Sequence, residues 1–241
     1  DGCSSELVKQ KEGRLRNARG WYESAYEWRF VSYAMHAHAR LDAHAAGKLL
    51  FYIPAIDRAA VDGLSRAIFN EMRAEPNISK TAKLPGLLPV FEGMEMILGE
   101  TVLPPKFVRG CTVVGIELHP QERPIAGRES TAAEGCVVLY YMPRCIYVRM
   151  DNSSEIHLPL NADFDVKGVL AIRPKAANWK FTPSTHKSSV HVSRTQVPLL
   201  RRKQCTLPGV QGKAAEPGFI VHWRYPARLH DDAKWLAHYV S

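Results

Sequence analysis

The chain has 241 residues, of which 46% are hydrophobic and 23% charged, a composition typical of a folded globular protein and not of a disordered one. No apolar run approaches the ~18 residues that a membrane-spanning helix needs, so we expect no membrane partner. The formal net charge is +8, which favours an anionic partner. The five cysteines are odd in number and include no Cys-x-x-Cys pair, which argues against a disulfide framework and a structural zinc site and fits a reducing compartment.

The first third of the chain carries the helical signals. Apolar residues recur at three- and four-residue steps from Trp21 to Ala46, which predicts a helix that ends at Gly47. We therefore expect a helical lead-in over residues 1–48. The apolar run 49–58 predicts a strand that leaves for a loop at Pro54.

A second helix is predicted from Asp57 to Ala74, where Glu75-Pro76-Asn77 breaks it. The pattern then changes to short apolar runs separated by Pro, Gly, Asn and Ser. These runs are residues 112–118, 136–142, 145–150, 169–172 and 190–192. Together they predict an all-β module in the style of a small barrel or sandwich.

The positive charge is concentrated in one segment. Residues 166–215 contain ten Lys and Arg residues and no Asp or Glu, whereas the remaining chain has 22 basic and 24 acidic residues, a net charge of −2. Such a block attracts phosphate backbones, the alternative being a merely solvated surface. The candidate DNA contacts from this block are Lys180, Arg194, Arg201, Arg202 and Lys203.

Trp179 lies inside the same block. Aromatic rings interleaved with cations can stack nucleobases, so Trp179 is a candidate DNA contact. The competing interpretation, that Trp179 fills the core of the β module, is the default for an aromatic residue.

Recognisable catalytic motifs are absent. Neither Gly47-Lys48 nor Gly212-Lys213 completes a G-x-x-x-x-G-K-[ST] phosphate loop, and there is no G-x-S-x-G. His36, His38 and His44 do not share a helical face, so no metal site is predicted. We name no catalytic residue.

Several stretches carry a family resemblance. They are L-L-F-Y-I-P-A-I-D-R at 49–58, L-P-V-F-E-G-M-E-M-I-L-G-E-T at 88–101, V-R-G-C-T-V-V-G-I at 108–116, R-T-Q-V-P-L-L-R-R-K-Q-C-T-L-P-G-V-Q-G-K at 194–213 and H-Y-V-S at 238–241. In this order they resemble the C-terminal half of a superfamily-1B DNA helicase of the Pif/RecD type, in a divergent, mobile-element-like form. The segment 194–213 keeps the family's Thr-x-x-x-x-Gln-Gly skeleton but has Pro208-Gly209 where the family has His-Lys.

The resemblance implies a mixed α/β fold. A partial RecA-like second motor lobe would comprise residues 49–110 and 195–241, the latter truncated at its end, with an inserted SH3-like β-rich module at 111–194. It also implies site residues. Thr206, Gln211 and Gly212 would lie at the nucleotide cleft, and Gly93 and Met94 would flank the DNA strand path.

The function implied is that of a fragment of an ATP-dependent DNA helicase that translocates on single-stranded DNA and acts in repair or recombination. ATP and Mg²⁺ would bind the full-length parent, whose first motor lobe would be the partner of this one. With no Walker loop and no arginine finger, the chain alone is expected neither to bind ATP tightly nor to hydrolyse it. The protein would be intracellular, with the nucleus as the expected compartment and the mitochondrion as the alternative.

Two other interpretations stay open. The chain could be a non-enzymatic nucleic-acid-binding protein or a decayed helicase remnant, which Pro208-Gly209 favours. It could also be an unrelated β-rich domain whose basic stretch binds an acidic protein.

Overall fold

The structure is a computed structural model that describes residues 22–25, 28–61, 63–99, 110–124, 135–150, 168–184, 188–202, 204–206 and 219–222. Of residues 22–25, 28–34, 204–206 and 219–222 only the backbone is described. The described chain is mixed α/β and consists mostly of strands. It divides into two compact units, Asp1–Ala46 with Lys203–Ser241, and Gly47–Arg202. No helix among the described residues is long and apolar enough to cross a membrane.

The first unit contains a parallel sheet and a helix. Strand β1 (Tyr22–Ala25) lies between β13 (Gln204–Thr206) and β14 (Phe219–His222), parallel to both. Helix α1 (Trp28–Ala45) follows β1. The predicted helix at 21–46 is therefore confirmed over α1 and wrong over β1, because pairing with two distant strands overrides the local helical periodicity there.

In the second unit, the run that begins at Leu49 forms β2 (Leu50–Pro54), as predicted. It is the middle strand of a three-stranded sheet, antiparallel to β4 (Leu87–Val90) and parallel to β7 (Cys136–Val138). Tyr52 and Ile53 are buried, as expected for a central strand.

A second three-stranded sheet has the order β10-β11-β3. Its strands are β3 (Ile56–Ala59), β10 (Lys175–Phe181) and β11 (Val190–Gln196), all antiparallel. The helix predicted from Asp57 is wrong at its start, because β3 pairs with β11 up to Ala59. Helix α2 spans only Arg66–Arg73, with the Ser65 side chain capping it by accepting a hydrogen bond from the Ile68 amide.

The largest of the described sheets is five-stranded and antiparallel, in the order β12-β5-β6-β8-β9. Its strands are β5 (Glu95–Leu98), β6 (Gly110–Glu117), β8 (Cys145–Met150), β9 (Val169–Ile172) and β12 (Leu199–Arg201), with a bulge in β6 between Val113 and Gly115. The predicted strands at 112–118, 145–150, 169–172 and 190–192 are confirmed, whereas the run 136–142 is a strand only over Cys136–Val138. Since β5 and β12 come from outside 111–194, this sheet continues across the predicted module boundaries. The four-segment domain division stays a prediction.

Candidate nucleic-acid interface

The sheet β10-β11-β3 has one buried and one outward face. Strand register aligns Asn178, Ser193 and Arg58 across the three strands, and Lys180 lies opposite His191. Because side chains alternate along a strand, these five residues share the face opposite Trp179 and Val192. We call them the outer face.

The outer face is polar and cationic. Lys180, His191 and Arg58 are exposed, as is Asn178, and Ser193 is half-buried. The outward positions of the three described strands hold no carboxylate: the remaining ones are Ala176, Thr195 and Ile56. Lys180 thus has the exposure that its predicted DNA contact requires. Arg58 was missed by the sequence reasoning. His191 lies in the basic block but was not among the predicted DNA contacts, although the alternation of β10 and β11 was a signal for it.

Arg194 was predicted to contact DNA, and this is wrong. Its side chain is fully buried on the inner face of β11. The guanidinium donates from Nε to Oδ1 of Asp57 at 2.7 Å and from Nη2 to Oδ2 at 2.9 Å. It also donates to the carbonyl oxygens of Met72 at 2.6 Å and Leu84 at 3.3 Å. With its charge neutralised and its donors engaged, Arg194 cannot reach a phosphate.

The stacking role suggested for Trp179 is also wrong, and the competing core interpretation is confirmed. Trp179 is only 5% exposed and belongs to a cluster with Ile68, Met72, Phe181 and Val192. Its ring meets Phe181 edge-on, with centroids 5.5 Å apart, and the Arg194 guanidinium carbon lies 4.9 Å from the Trp179 ring centroid. No surface is left for a base.

Two further candidates from the sequence are buried. Met94 is enclosed in the core, and Arg201 points into the protein from β12. Neither side chain is available to a DNA strand. Arg202, which follows Arg201, is half-buried. Strand alternation therefore turns some cations of the basic block inward, and the block does not form a single exposed surface.

Gly93 lies in the exposed turn between β4 and β5, with a φ of 96° that residues with a side chain rarely adopt. Its amide donates to the Val113 carbonyl oxygen at 2.8 Å, which fixes the turn on the bulge of β6. Beside the turn lies a groove of about 320 Å³ whose apolar wall includes Phe51 and Ile116. At its rim Lys48 Nζ is 2.9 Å from Oε2 of Glu92. Gly93 and Lys180 belong to different regions of the second unit, and the structure does not place them on one strand or sheet.

Of the three residues predicted for the nucleotide cleft, the structure describes one, Thr206. Thr206 ends β13, where its backbone pairs with Ala25. Gln211 and Gly212, and also Lys203 of the basic block, lie outside the described residues. Within the ranges that the structure describes, no three His, Cys, Asp or Glu side chains are grouped so as to hold a metal ion.

Comparisons with known proteins return solved structures alone. No family model matches the chain, and no curated protein matches it. The chain is similar to the crystal structure of Pif1 helicase from Candida albicans at 12% identity and a TM-score of 0.48, over 91% of this chain and 42% of that one. It is similar to unliganded Pif1 from Bacteroides sp at 12% identity and a TM-score of 0.42, over 85% and 47%.

A Bacteroides Pif1 helicase in complex with ADP-AlF3 and ssDNA is similar at 11% identity and a TM-score of 0.43, over 91% of this chain and 37% of that one. The chain thus spans less than half the length of these three helicases. All three of these solved structures are of Pif1 helicases.

Proposed function

We propose that the chain is a segment of an ATP-dependent DNA helicase and that it binds single-stranded DNA through the outer face. In this proposal residues 49–110 and 195–241 belong to a RecA-like second motor lobe, and 111–194 are its inserted SH3-like module. The family motifs in the sequence support the motor assignment. The single observation that supports DNA binding is the carboxylate-free outer face with Lys180, His191 and Arg58 exposed on it.

The chemistry of the outer face suits a phosphate backbone. Adjacent strands lie ~4.8 Å apart and residues advance ~3.4 Å along a strand. The Cα atoms of Lys180 and Arg58, two strands apart and offset by two residues, are therefore on the order of 12 Å from each other. Two cations at this separation can neutralise different phosphates of one strand, each releasing a counterion. His191, opposite Lys180, adds a hydrogen-bonding ring. No outward side chain on these strands repels the polyanion.

Nucleotide chemistry would belong to the complete protein. We propose that Thr206, Gln211 and Gly212 face ATP and Mg²⁺ across a cleft closed by a first motor lobe, in an intracellular, nuclear setting. The hydroxyl of Thr206 could donate to a phosphate, and Gly212 would let the backbone approach closely. Without a phosphate loop the 241-residue chain should hydrolyse no ATP, and robust hydrolysis by the purified chain would refute this assignment.

The DNA-binding proposal is tested by replacing Lys180 and Arg58 together with alanine. We expect the affinity for a single-stranded oligonucleotide to fall about tenfold at low salt and the slope of log K against log salt to decrease by about one to two, since up to two phosphate contacts are lost. Fluorescence anisotropy at several salt concentrations measures both quantities. The matched control is Lys80→Ala, because Lys80 is exposed but pairs with Glu75 at 3.5 Å. Equal affinity of the double variant and the control would remove the outer face from the site.

A second candidate function is a non-enzymatic nucleic-acid-binding protein derived from such a helicase. Pro208-Gly209, where the family has His-Lys, specifically favours it. The chain extended upstream in its reading frame distinguishes the two. DNA-stimulated ATP hydrolysis by the longer protein supports a motor, whereas DNA binding without hydrolysis supports the binding protein.

A further inference from the structure

Two tyrosines outside the basic block present their rings to solvent. Tyr140 is 62% exposed and Tyr141 43% exposed, in the loop between β7 and β8. Large aromatic side chains are usually buried, so two adjacent exposed rings indicate a surface with a binding role. With His119 and Arg123 we call them the aromatic platform.

The platform is held in place by its own contacts. Oε2 of Glu122 accepts hydrogen bonds from the amides of Tyr140 at 3.0 Å and Tyr141 at 2.9 Å, which ties the loop after β6 to the loop after β7. The Arg123 guanidinium carbon lies 4.5 Å from the Tyr140 ring centroid. The His119 ring stacks on Tyr141 with centroids 5.0 Å apart and planes at 17°. Rings ordered in advance lose little conformational entropy when they bind a ligand.

The nearby carboxylates are engaged by other groups. Glu117 Oε2 accepts from the Tyr147 hydroxyl at 2.9 Å and from Cys145 Sγ at 3.3 Å, and its Oε1 is 3.3 Å from Nη1 of Arg144. The hydrogen bonds from Cys145, Tyr147 and Arg144 lower the pKa of Glu117. Glu122 is engaged by the two tyrosine amides.

Among the described residues, the exposed cations near this end of the five-stranded sheet are Arg123, Arg144 and Arg173. Arg173 directly follows Ile172, which pairs with Ile146 next to Cys145, so it lies at the same sheet end as Arg144. These three arginines and the carboxylates of Glu117 and Glu122 sum to a formal charge of +1. Engaged acids and exposed guanidinium groups favour an anionic ligand.

The ring geometry favours nucleobases over an apolar protein surface. A ring stacked on one side, as Tyr141 is on His119, offers its other π-face to a further stacking partner. Its surroundings are polar, with Gln121, Arg123 and Arg144 exposed, whereas a protein hot spot is usually a desolvated, well-packed pocket. Aromatic rings beside arginines are the arrangement that binds single strands with little regard to sequence.

We propose that the aromatic platform stacks unpaired nucleobases of a single strand, with Arg123, Arg144 and Arg173 facing its phosphates. This rests on the proposed function, since it adds a base-contacting subsite to a chain that binds single-stranded DNA. Tyr140 and Tyr141 supply the stacking faces, and Glu122 positions them.

The test compares two strands of equal phosphate number, a thymidine oligonucleotide and one with abasic positions. The wild-type chain should bind the thymidine strand about tenfold more tightly than the abasic strand. Replacing Tyr140 and Tyr141 with leucine should abolish this difference and leave affinity for the abasic strand unchanged. The double phenylalanine variant keeps both ring faces and should behave as wild type, which also controls for folding.

The outcomes separate the two proposals. If the wild-type chain binds neither strand at low salt, the proposed function and the platform both fail. If it binds both strands equally, or if the leucine variant keeps the wild-type difference, the platform is overturned while DNA binding stands, and a protein partner becomes the explanation for the exposed tyrosines. An equal loss on both strands in the leucine variant also overturns base stacking.

Discussion

Arg194 and Asp57, 137 positions apart, form a buried bidentate ion pair that joins β11 to β3. The same guanidinium donates to Met72 at the end of α2 and to Leu84 in the following loop. One side chain thereby connects two strands, a helix end and a loop, which gives a structural reason for the arginine in the R-T-Q-V-P-L segment.

Removing one partner of this pair should be strongly destabilising. We expect Asp57→Ala to lower the free energy of unfolding by about 3–5 kcal/mol, because it leaves a buried guanidinium without its counter-charge. The combined Asp57→Leu and Arg194→Met variant should recover a large share of this loss. Urea denaturation of both measures the difference, and a cost below ~1 kcal/mol for Asp57→Ala would contradict the buried pair.

Gln196, two residues further along β11 on the same face as Arg194, also bonds to distant backbone. Its Nε2 donates to the carbonyl oxygens of Ile53 at 2.9 Å and Pro85 at 3.2 Å, and its Oε1 accepts from the Val197 amide at 2.9 Å. Gln196→Leu keeps the volume but leaves buried polar groups without partners, so we expect a loss of at least about 2 kcal/mol. The exposed Gln121→Leu is the control and should change stability by less than ~0.5 kcal/mol. Equal thermal midpoints for the two variants would argue against the network.

Gly86 is required by close packing against α2. A Cβ at this position would overlap the carbonyl group of Arg73, whereas at Gly99 the nearest atom, the Pro198 carbonyl oxygen, would be 3.1 Å away. We expect Gly86→Ala to cost about 3 kcal/mol and Gly99→Ala about 1 kcal/mol or less. Parallel denaturant titrations compare them, and the reverse order would show that the α2 end is not packed as described.

His36 should make the stability of the chain depend on pH. Burial, aided by the charge of Arg40, lowers the pKa of His36 from 6.5 to about 4. The unfolded chain therefore binds a proton that the folded chain does not, so stability is complete above pH 6.5 and falls as the pH drops toward 4. Because His36 is partly exposed, the free energy of unfolding is expected to fall by about 2 kcal/mol between pH 6.5 and 4.

Urea midpoints between pH 4 and 7 test this through His36→Gln, which should flatten the dependence. His44 is exposed, so His44→Gln serves as the control and should retain the wild-type slope. A His36→Gln profile parallel to that of the wild type would show that another group causes the acid sensitivity.

Much of the local structure could be predicted. The runs at 145–150 and 169–172 are strands because apolar, β-branched residues bounded by turn residues are typical of strands. Helix α1 follows from its apolar periodicity. The helix predicted from Asp57 was wrong at its start, where β3 pairs with β11 up to Ala59, and right over Arg66–Arg73.

The candidate site was less predictable. The sequence indicated that cations and aromatic residues gather late in the chain, yet Lys180 is exposed while Trp179 beside it is buried. The aromatic platform could not be predicted from the sequence, because Glu122 and Tyr140 are brought together only by the pairing of β6 with β8 and of β2 with β7.

The sequence by itself determined the charge, the missing phosphate loop and the alternating runs that become strands, since these depend on neighbouring residues alone. Only the tertiary structure decided which cations reach solvent. An arginine faces water or a carboxylate according to which distant strand pairs with its own, and that choice is made by burial and hydrogen bonding over the whole unit.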